Sequence, residues 1–199
     1  MKLLNYNINN LTHDEYQKWY NLSNQTKKDR VNKARIKADK IRSVCADMLV
    51  KKAIAELTNI PAEKIILDEK ENGKPYPVNI DLHFNISHCE DYVVCVVDTK
   101  PVGIDIEKIR PINLKIAKRF FNDEEQKYIF GHSDSQEDFE KCSDNQILKR
   151  FFEIWTAKEA YLKYTGEGIC ADLKAISVPR KNVSTKIHDG YIITVYKEK

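Results

Sequence analysis

Val102, Ile104 and Ile106 alternate with Gly103, Asp105 and Glu107, and this short run constrains the chain more than any other. Period-two alternation marks a strand with one face turned to a core. The branched residues then point inward, and the two carboxylates share the opposite face. Side-by-side carboxylates repel, and a cation keeps both ionised. Hard oxygen donors of this kind suit Mg²⁺, which is held by one or two carboxylates together with substrate phosphates. The ordinary alternative is a solvated strand face, since surface acids are common.

The remaining elements follow from periodicity and punctuation. Residues 1–10 read as an edge strand, and Thr12 to Asn24 as a short helix. Gln25 to Leu57 carries Val31, Ala34, Ala38, Ile41, Cys45, Met48, Leu49 and Ala53 at helical spacing. Pro61 opens a short helical turn, and Glu71-Asn72-Gly73-Lys74-Pro75 is a turn by its Asn-Gly and Pro content. Leu82–Ser87 and Tyr92–Asp98 read as strands, the second buried. A helix is expected from Leu114 to Phe121, and Asn122-Asp123-x-Glu125 starts another. Ser133 to Asn145 is polar and reads as a loop. Gln146 to Tyr164 is a strong helix closed by Gly166 and Gly168, and strands near Ala175–Val178 and Tyr191–Tyr196 finish the chain. Helices followed by strands in each half suggest two similar α+β lobes.

The helix ending near Tyr164 presents a second constellation. Trp155, Lys158, Glu159 and Lys163 fall at i, i+3, i+4 and i+8 and line one side. Such a Glu can complete a metal site begun on a strand, and the Lys can meet phosphate oxygens beside it. The plain alternative is a solvated Glu159–Lys163 pair. A third signal is the run from Lys27 to Lys52. Lys27, Lys28, Arg30, Lys33, Arg35, Lys37, Lys40, Arg42, Lys51 and Lys52 face only Asp29, Asp39 and Asp47. Such a surface is either solvated or a site for a phosphorylated ligand or an acidic protein. Lys74 on its turn, and Ser87 with His88 at a strand end, are further candidate nucleotide contacts.

Total charge is balanced, +3 from 33 basic and 30 acidic residues, which argues against a general nucleic-acid coat. No apolar run approaches the roughly 20 residues of a membrane span. Met1-Lys2-Leu3-Leu4 leads straight into Asn5, so no signal peptide is expected. Cys45, Cys89, Cys95, Cys142 and Cys170 form no C-x-x-C pair. A soluble cytoplasmic protein in a reducing compartment is the expectation.

Taken in order, these motifs resemble the 4′-phosphopantetheinyl transferases of the surfactin-synthetase-activating (Sfp) type. The resemblance runs through the basic helix, Gly73-Lys74-Pro75, Phe84-Asn85-Ile86-Ser87-His88, Gly103-Ile104-Asp105-Ile106-Glu107, Arg119-Phe120-Phe121 with Glu125, and Trp155-Thr156-Ala157-Lys158-Glu159-Ala160-Tyr161-Leu162-Lys163. It implies an α+β fold of two similar α/β lobes, a pseudo-dimer with coenzyme A in the cleft between them. The lobes would be residues 1–101, binding the nucleotide, and residues 102–199, binding metal and catalysing. Asp105, Glu107 and Glu159 match the family's Mg²⁺ ligands, with Mn²⁺ a possible substitute. Lys163 matches the lysine on the pyrophosphate. Lys27, Arg30, Ser43, Lys74, Pro75, Ser87, His88 and Lys158 match coenzyme A contacts. Arg30 and Ser43 stand where the best-known type has Lys and Thr, which keeps the chemistry and changes the donor geometry of the first. The stretch after Val178 is shorter than in many relatives, so Tyr191–Val195 is expected to be the last strand, reached early.

The implied reaction moves phosphopantetheine from coenzyme A to a serine of an apo acyl, peptidyl or polyketide carrier and releases 3′,5′-ADP. Glu159 is the expected base, and Asp105, Lys163 and His88 complete the catalytic set. A monomer suffices, with the acidic carrier touching Phe120, Phe121 and the helix after them. A Mg²⁺-dependent nuclease or phosphodiesterase, or a non-catalytic coenzyme-binding module, are the other classes these residues allow.

Overall fold

The computed structural model describes residues 1–70, 73–113, 115–131, 144–166 and 172–198. The chain divides into two compact units, Met1–Gly103 and Ile104–Lys199. Asn72, Leu114, the polar stretch from Ser133 to residue 143, Cys142, Gly168 and Cys170 lie outside the described residues.

The first unit runs β1 (Lys2–Asn7), α1 (His13–Asn21), α2 (Gln25–Lys33), α3 (Lys37–Thr58), β2 (Leu67–Glu69), β3 (Pro75–Pro77), β4 (His83–Cys89) and β5 (Tyr92–Asp98). Its main sheet has the order β1-β5-β4, antiparallel throughout, so the first strand lies at an edge as its position suggested. β5 is buried at all its positions and packs under α3, as its β-branched run requires. β2 and β3 form a separate two-stranded ladder. Capping explains where the helices begin. Thr12 and Glu15 form a reciprocal capping box on α1, and Asn24 accepts the Lys27 N–H at the start of α2.

The basic segment is two helices, not the one its periodicity suggested. Ala34 and Ile36 are extended, and no Gly or Pro marks the break. The reason is tertiary. Twenty residues of unbroken helix would hold Lys27 and Asp47 about 30 Å apart along the axis. Folding back at residues 34–36 puts the Lys27 ammonium 2.9 Å from the Asp47 carboxylate and sends Val31 into the core with Val44 and Met48.

The second unit runs β6 (Gly103–Lys108), α4 (Lys115–Phe120), α5 (Asp123–Phe130), α6 (Asn145–Thr165), β7 (Val183–His188) and β8 (Tyr191–Tyr196). Its sheet order is β6-β8-β7, and β8 is buried throughout beneath α6. Each unit thus places its last strand centrally under its longest helix. Asn122 and Glu125 form the expected capping box of α5, and Gly166 ends α6 in the left-handed conformation. Thr156 on α6 and Thr194 on β8 share a buried hydrogen bond of 2.7 Å.

One expectation at this end fails, and one strand stands outside the expectations. Residues 175–178 are not a strand, because the neighbouring carbonyls of Leu173 and Ile176 turn inward to a buried lysine instead of pairing in a ladder. The strand that pairs with β8 is β7, joined through Asp189-Gly190, both at positive φ as a two-residue hairpin turn requires. β7 is mostly exposed, so its alternation carries no apolar signal.

Phe121 packs on Phe151 at 5.1 Å between ring centroids and is fully buried with Ala117, Ile129 and Ile192. Phe121→Ala should therefore cost about 3–5 kcal/mol of stability, read from the shift of the urea unfolding midpoint. A cost below about 1 kcal/mol would contradict its place in the core.

Candidate active site

In the second unit, Asp105 lies on β6 between the core residues Ile104 and Ile106 and is itself buried, with 5% of its surface exposed. A buried carboxylate needs a partner, and the Lys163 ammonium donates to its Oδ1 at 2.7 Å. Glu107, two residues on and half-buried, accepts from the Arg110 guanidinium at 3.2 Å. Glu159 extends from α6 one turn before Lys163. Burial raises its pKa, the charge of Asp105 raises it further, Lys163 opposes, and Glu107 adds a smaller push upward. Asp105, Glu107, Glu159 and Lys163 therefore share one electrostatic environment.

The solvated-strand alternative for Asp105 does not hold, and neither does a plain Glu159–Lys163 surface pair. The donor set, three carboxylates in mutual repulsion, suits a hard divalent cation. Yet among the described residues no group of three or more His, Cys, Asp or Glu is close enough to hold a metal ion. The positive charge at Asp105 is the lysine's.

Lys158 departs from the expectation that it contacts coenzyme A. It is 1% exposed. Its three N–H donors are matched by the carbonyls of Leu173 at 2.6 Å and Ile176 at 2.7 Å and by Glu125 at 2.9 Å. No donor is left for a ligand. The helical stripe is thus divided: Lys158 ties α6 to α5 and to the 173–176 segment, while Glu159 and Lys163 face the strand carboxylates. Trp155 belongs to an aromatic cluster, stacked on Phe151 at 6.1 Å and edge-on to Phe120 at 5.9 Å.

Phe121 is likewise corrected as a carrier contact, because a core side chain touches no partner. The first turn of α5 exposes Asp123 and Glu124, which would repel an acidic protein. On α4, by contrast, Lys115, Lys118 and Arg119 are exposed.

In the first unit, Lys27, Arg30, Val31, Ala34, Asp39, Arg42, Ser43, Ala46 and His88 line a cavity of about 440 Å³. It gathers residues from α2, α3 and the end of β4, and four of the expected contacts, Lys27, Arg30, Ser43 and His88, are among them. Each large cation there already holds a carboxylate. Lys27 pairs with Asp47, Arg30 with Glu69 at 2.7 Å, and Arg42 with Asp39. The charge run contains Asp39 and Asp47 but carries no signal for Glu69, and Lys27 meets Asp47 only after the α2–α3 fold-back. Ser87 is buried on β4 beside His88 but does not line the cavity. Lys74 and Pro75 also lie off its lining. They follow a tight turn in which Gly73, at positive φ, donates to the Lys70 carbonyl at 2.8 Å. The buried Cys45 and Cys95 are not reactive candidates: burial pushes their thiols up to about 12.

Comparison with known proteins supplies the class. Residues 101–195 match the family model of the 4′-phosphopantetheinyl transferase superfamily, and residues 10–100 match that of the 4′-phosphopantetheinyl transferase N-terminal region. The chain belongs to the 4′-phosphopantetheinyl transferase superfamily, a class of transferases. Its relatives place it in the Sfp type. It is 33% identical over 185 residues to the 4′-phosphopantetheinyl transferase Sfp of Bacillus subtilis (strain 168), covering 92% of this chain and 75% of that one. It is 39% identical over 150 residues to the 4′-phosphopantetheinyl transferase gsp of Aneurinibacillus migulanus, covering 75% of this chain and 59% of the relative. A further 4′-phosphopantetheinyl transferase of Bacillus subtilis is 36% identical over 170 residues, covering 83% and 71%. The matched region is thus less than two thirds of the gsp relative and about three quarters of Sfp. No helix among the described residues is long and apolar enough to cross a membrane.

Two outcomes follow from this geometry. Lys158→Met removes the countercharge of the partly buried Glu125 and leaves two inward carbonyls unmatched, and it should cost about 3–5 kcal/mol in urea unfolding, with the coenzyme A affinity of the folded protein little changed. A variant of wild-type stability with weakened coenzyme A binding would restore Lys158 as a ligand contact. For Glu159, the folded pKa lies above the ordinary 4.5, so its contribution is full below the unfolded value and is lost as pH rises through the folded one. In metal-free buffer, Glu159→Gln should gain stability over wild type as pH climbs from about 4.5 to neutrality, followed by thermal melts. A constant difference across that range would contradict the raised pKa.

Proposed function

We propose that this chain moves 4′-phosphopantetheine from coenzyme A to a serine hydroxyl of an apo acyl, peptidyl or polyketide carrier protein, releasing 3′,5′-ADP. The observation that carries the reading is the grouping of Asp105, Glu107, Glu159 and Lys163 in a chain of this family. We further propose that the two units are the two lobes of a pseudo-dimer that serve one coenzyme A. Their shared strand order supports this, with the first strand at an edge and the last in the centre.

Phosphoryl transfer asks a protein mainly for position and charge. The serine oxygen forms a bond to the β-phosphorus, the bond to the 3′,5′-ADP oxygen breaks, and the serine proton leaves. Glu159 takes that proton. Its raised pKa brings it nearer the working pH, where a general base acts best. Lys163 turns from Asp105 to a pyrophosphate oxygen, and His88 adds positive charge for the leaving group. Lys27, Arg30 and Ser43 hold the nucleotide in the cavity of the first unit, with Lys74, Pro75 and Ser87 in supporting places. Asp105, Glu107 and Glu159 would hold Mg²⁺, or Mn²⁺ in its place, which when bound neutralises charge on the phosphate oxygens. An acidic carrier meets the exposed Lys118 and Arg119 and the half-buried Phe120 of α4 by charge and apolar contact. A monomer in the cytoplasm, acting on no nucleic acid and no membrane, completes the reading.

The test is intact-mass spectrometry of several apo carriers incubated with coenzyme A and Mg²⁺. One carrier should gain one phosphopantetheine, about 340 Da, on its serine. Asp105→Ala should lower the rate about 100- to 1,000-fold, the scale of one removed electrostatic stabiliser. No mass gain on any carrier, or full turnover by Asp105→Ala, would overturn the proposal.

A further inference from the structure

We propose that Thr156 of α6 and Thr194 of β8 are positioning residues for the carboxylates of the second unit. Their buried hydroxyl pair sets where α6 lies on the sheet, and so where Glu159 stands against Asp105 and Glu107. The proposal rests on the reading of those three carboxylates as the holders of one divalent ion, and it adds two uncharged residues to that site.

The three carboxylates come from two elements. Asp105 and Glu107 stand on β6, which the strand order β6-β8-β7 places beside β8. Glu159 stands on α6, which packs over β8. The separation between Glu159 and the strand acids is therefore set by how α6 lies on β8. Apolar burial is non-directional and by itself tolerates small slides of a helix over a sheet. A hydroxyl pair at 2.7 Å does not, because a hydrogen bond weakens steeply off its distance and angle. Lys163 also links α6 to the sheet, through Asp105, but in the proposed reaction that lysine turns to the pyrophosphate. The threonine pair stays made when it does.

The protons of this pair can be placed. Thr156 donates to the Phe152 carbonyl at 2.7 Å, one turn back on α6. A hydroxyl has one proton, so Thr194 is the donor to Thr156. Thr185 on β7, 3.0 Å from Thr194, is then the donor to Thr194. The hydroxyls form a chain of one direction, from exposed Thr185 through β8 to the backbone of α6. Thr156 and Thr194 are fully buried. Stability alone does not ask for hydroxyls there. Without Thr194, Thr156 keeps the Phe152 carbonyl, and without Thr156, Thr194 keeps Thr185. Two valines of the same shape would fill the interface at little cost. What valines cannot supply is a fixed donor–acceptor distance between helix and strand. Thr156 lies three residues before Glu159, so the fixed point is about one helical turn from the carboxylate it places.

Thr156→Val, Thr194→Val, the double valine variant and Thr156→Ser are compared with wild type and Asp105→Ala. Mn²⁺ is titrated in the presence of coenzyme A, with free Mn²⁺ read by electron paramagnetic resonance and folding followed by urea unfolding. Each single valine variant should weaken Mn²⁺ binding about tenfold, a fraction of the roughly 100-fold that a misplacement of about 1 Å can cost in rate. The double variant should bind no more weakly than either single one, because both substitutions remove the same bond. Thr156→Ser keeps the hydroxyl and should bind as wild type does. Valine variants that unfold at lower urea yet bind Mn²⁺ as wild type does make the pair structural and overturn the proposal. Additive losses in the double variant overturn it too, as does a loss in Thr156→Ser equal to that in Thr156→Val. Should Thr156→Val fail to fold, Thr194→Val decides alone: weakened Mn²⁺ binding supports the positioning role, and unchanged binding overturns it. If Asp105→Ala loses Mn²⁺ and the valine variants do not, the positioning role fails while the metal site stands. Equal Mn²⁺ binding by wild type and Asp105→Ala removes the metal reading itself, and the positioning role with it.

Discussion

A charge inside a protein must be matched, and in this chain that requirement fixes where the functional residues stand. Asp105 is drawn into the second unit by the isoleucines on either side of it, and it is tolerable there because Lys163 supplies a hydrogen-bonded countercharge at 2.7 Å. Lys158 is drawn in from the other flank of the same helix and is met by Glu125 and two carbonyls. Asp47 plays the same part in the first unit, where it holds Lys27 across a fold-back of the chain. Removing one member of such a pair leaves the other stranded, so these residues are held by stability as well as by chemistry.

Lys158 and Lys163 of α6 show how one requirement produces different roles. Lys158 uses all its donors within the fold and is structural. Lys163 is paired with Asp105 on β6, and its side chain keeps 30% of its surface exposed. Glu159, set between them in sequence, feels both strand carboxylates and one ammonium, which is the electrostatic position expected of a proton acceptor. In the first unit, the cations of the cavity are likewise held by carboxylates, so both candidate sites keep their cations paired within the fold.

Local signals in the sequence were read well, and long-range ones were not. The strand at Gly103–Lys108, the buried strand at Tyr92–Asp98 and the capping box at Asn122 each depend on neighbours within a few residues, so they were legible. The break between α2 and α3 was not, since Arg35 and Ile36 carry no breaker and the cause is contact between Lys27 and Asp47. β7 was missed because an exposed strand of Val, Ser, Thr, Lys, Ile and His shows little apolar contrast, although Asp189-Gly190 marked its turn. Within the candidate site, spacing puts Lys158 on one side with Glu159 and Lys163, whereas the fold holds it on Glu125 and the carbonyls of Leu173 and Ile176. Helical periodicity gives a direction, and the α5 capping residue Glu125 that captures Lys158 lies more than thirty positions away.

The central claim is that Lys163 stands on Asp105 as a placeholder and moves when the site is loaded. Lysine side-chain nitrogen NMR of the Lys163 ammonium reads this directly, with Lys163→Arg used for assignment. Adding Mg²⁺ and coenzyme A together should shift the Nζ resonance and remove the signature of its bond to Asp105. An unchanged Lys163 resonance in protein that is transferring phosphopantetheine would contradict the account.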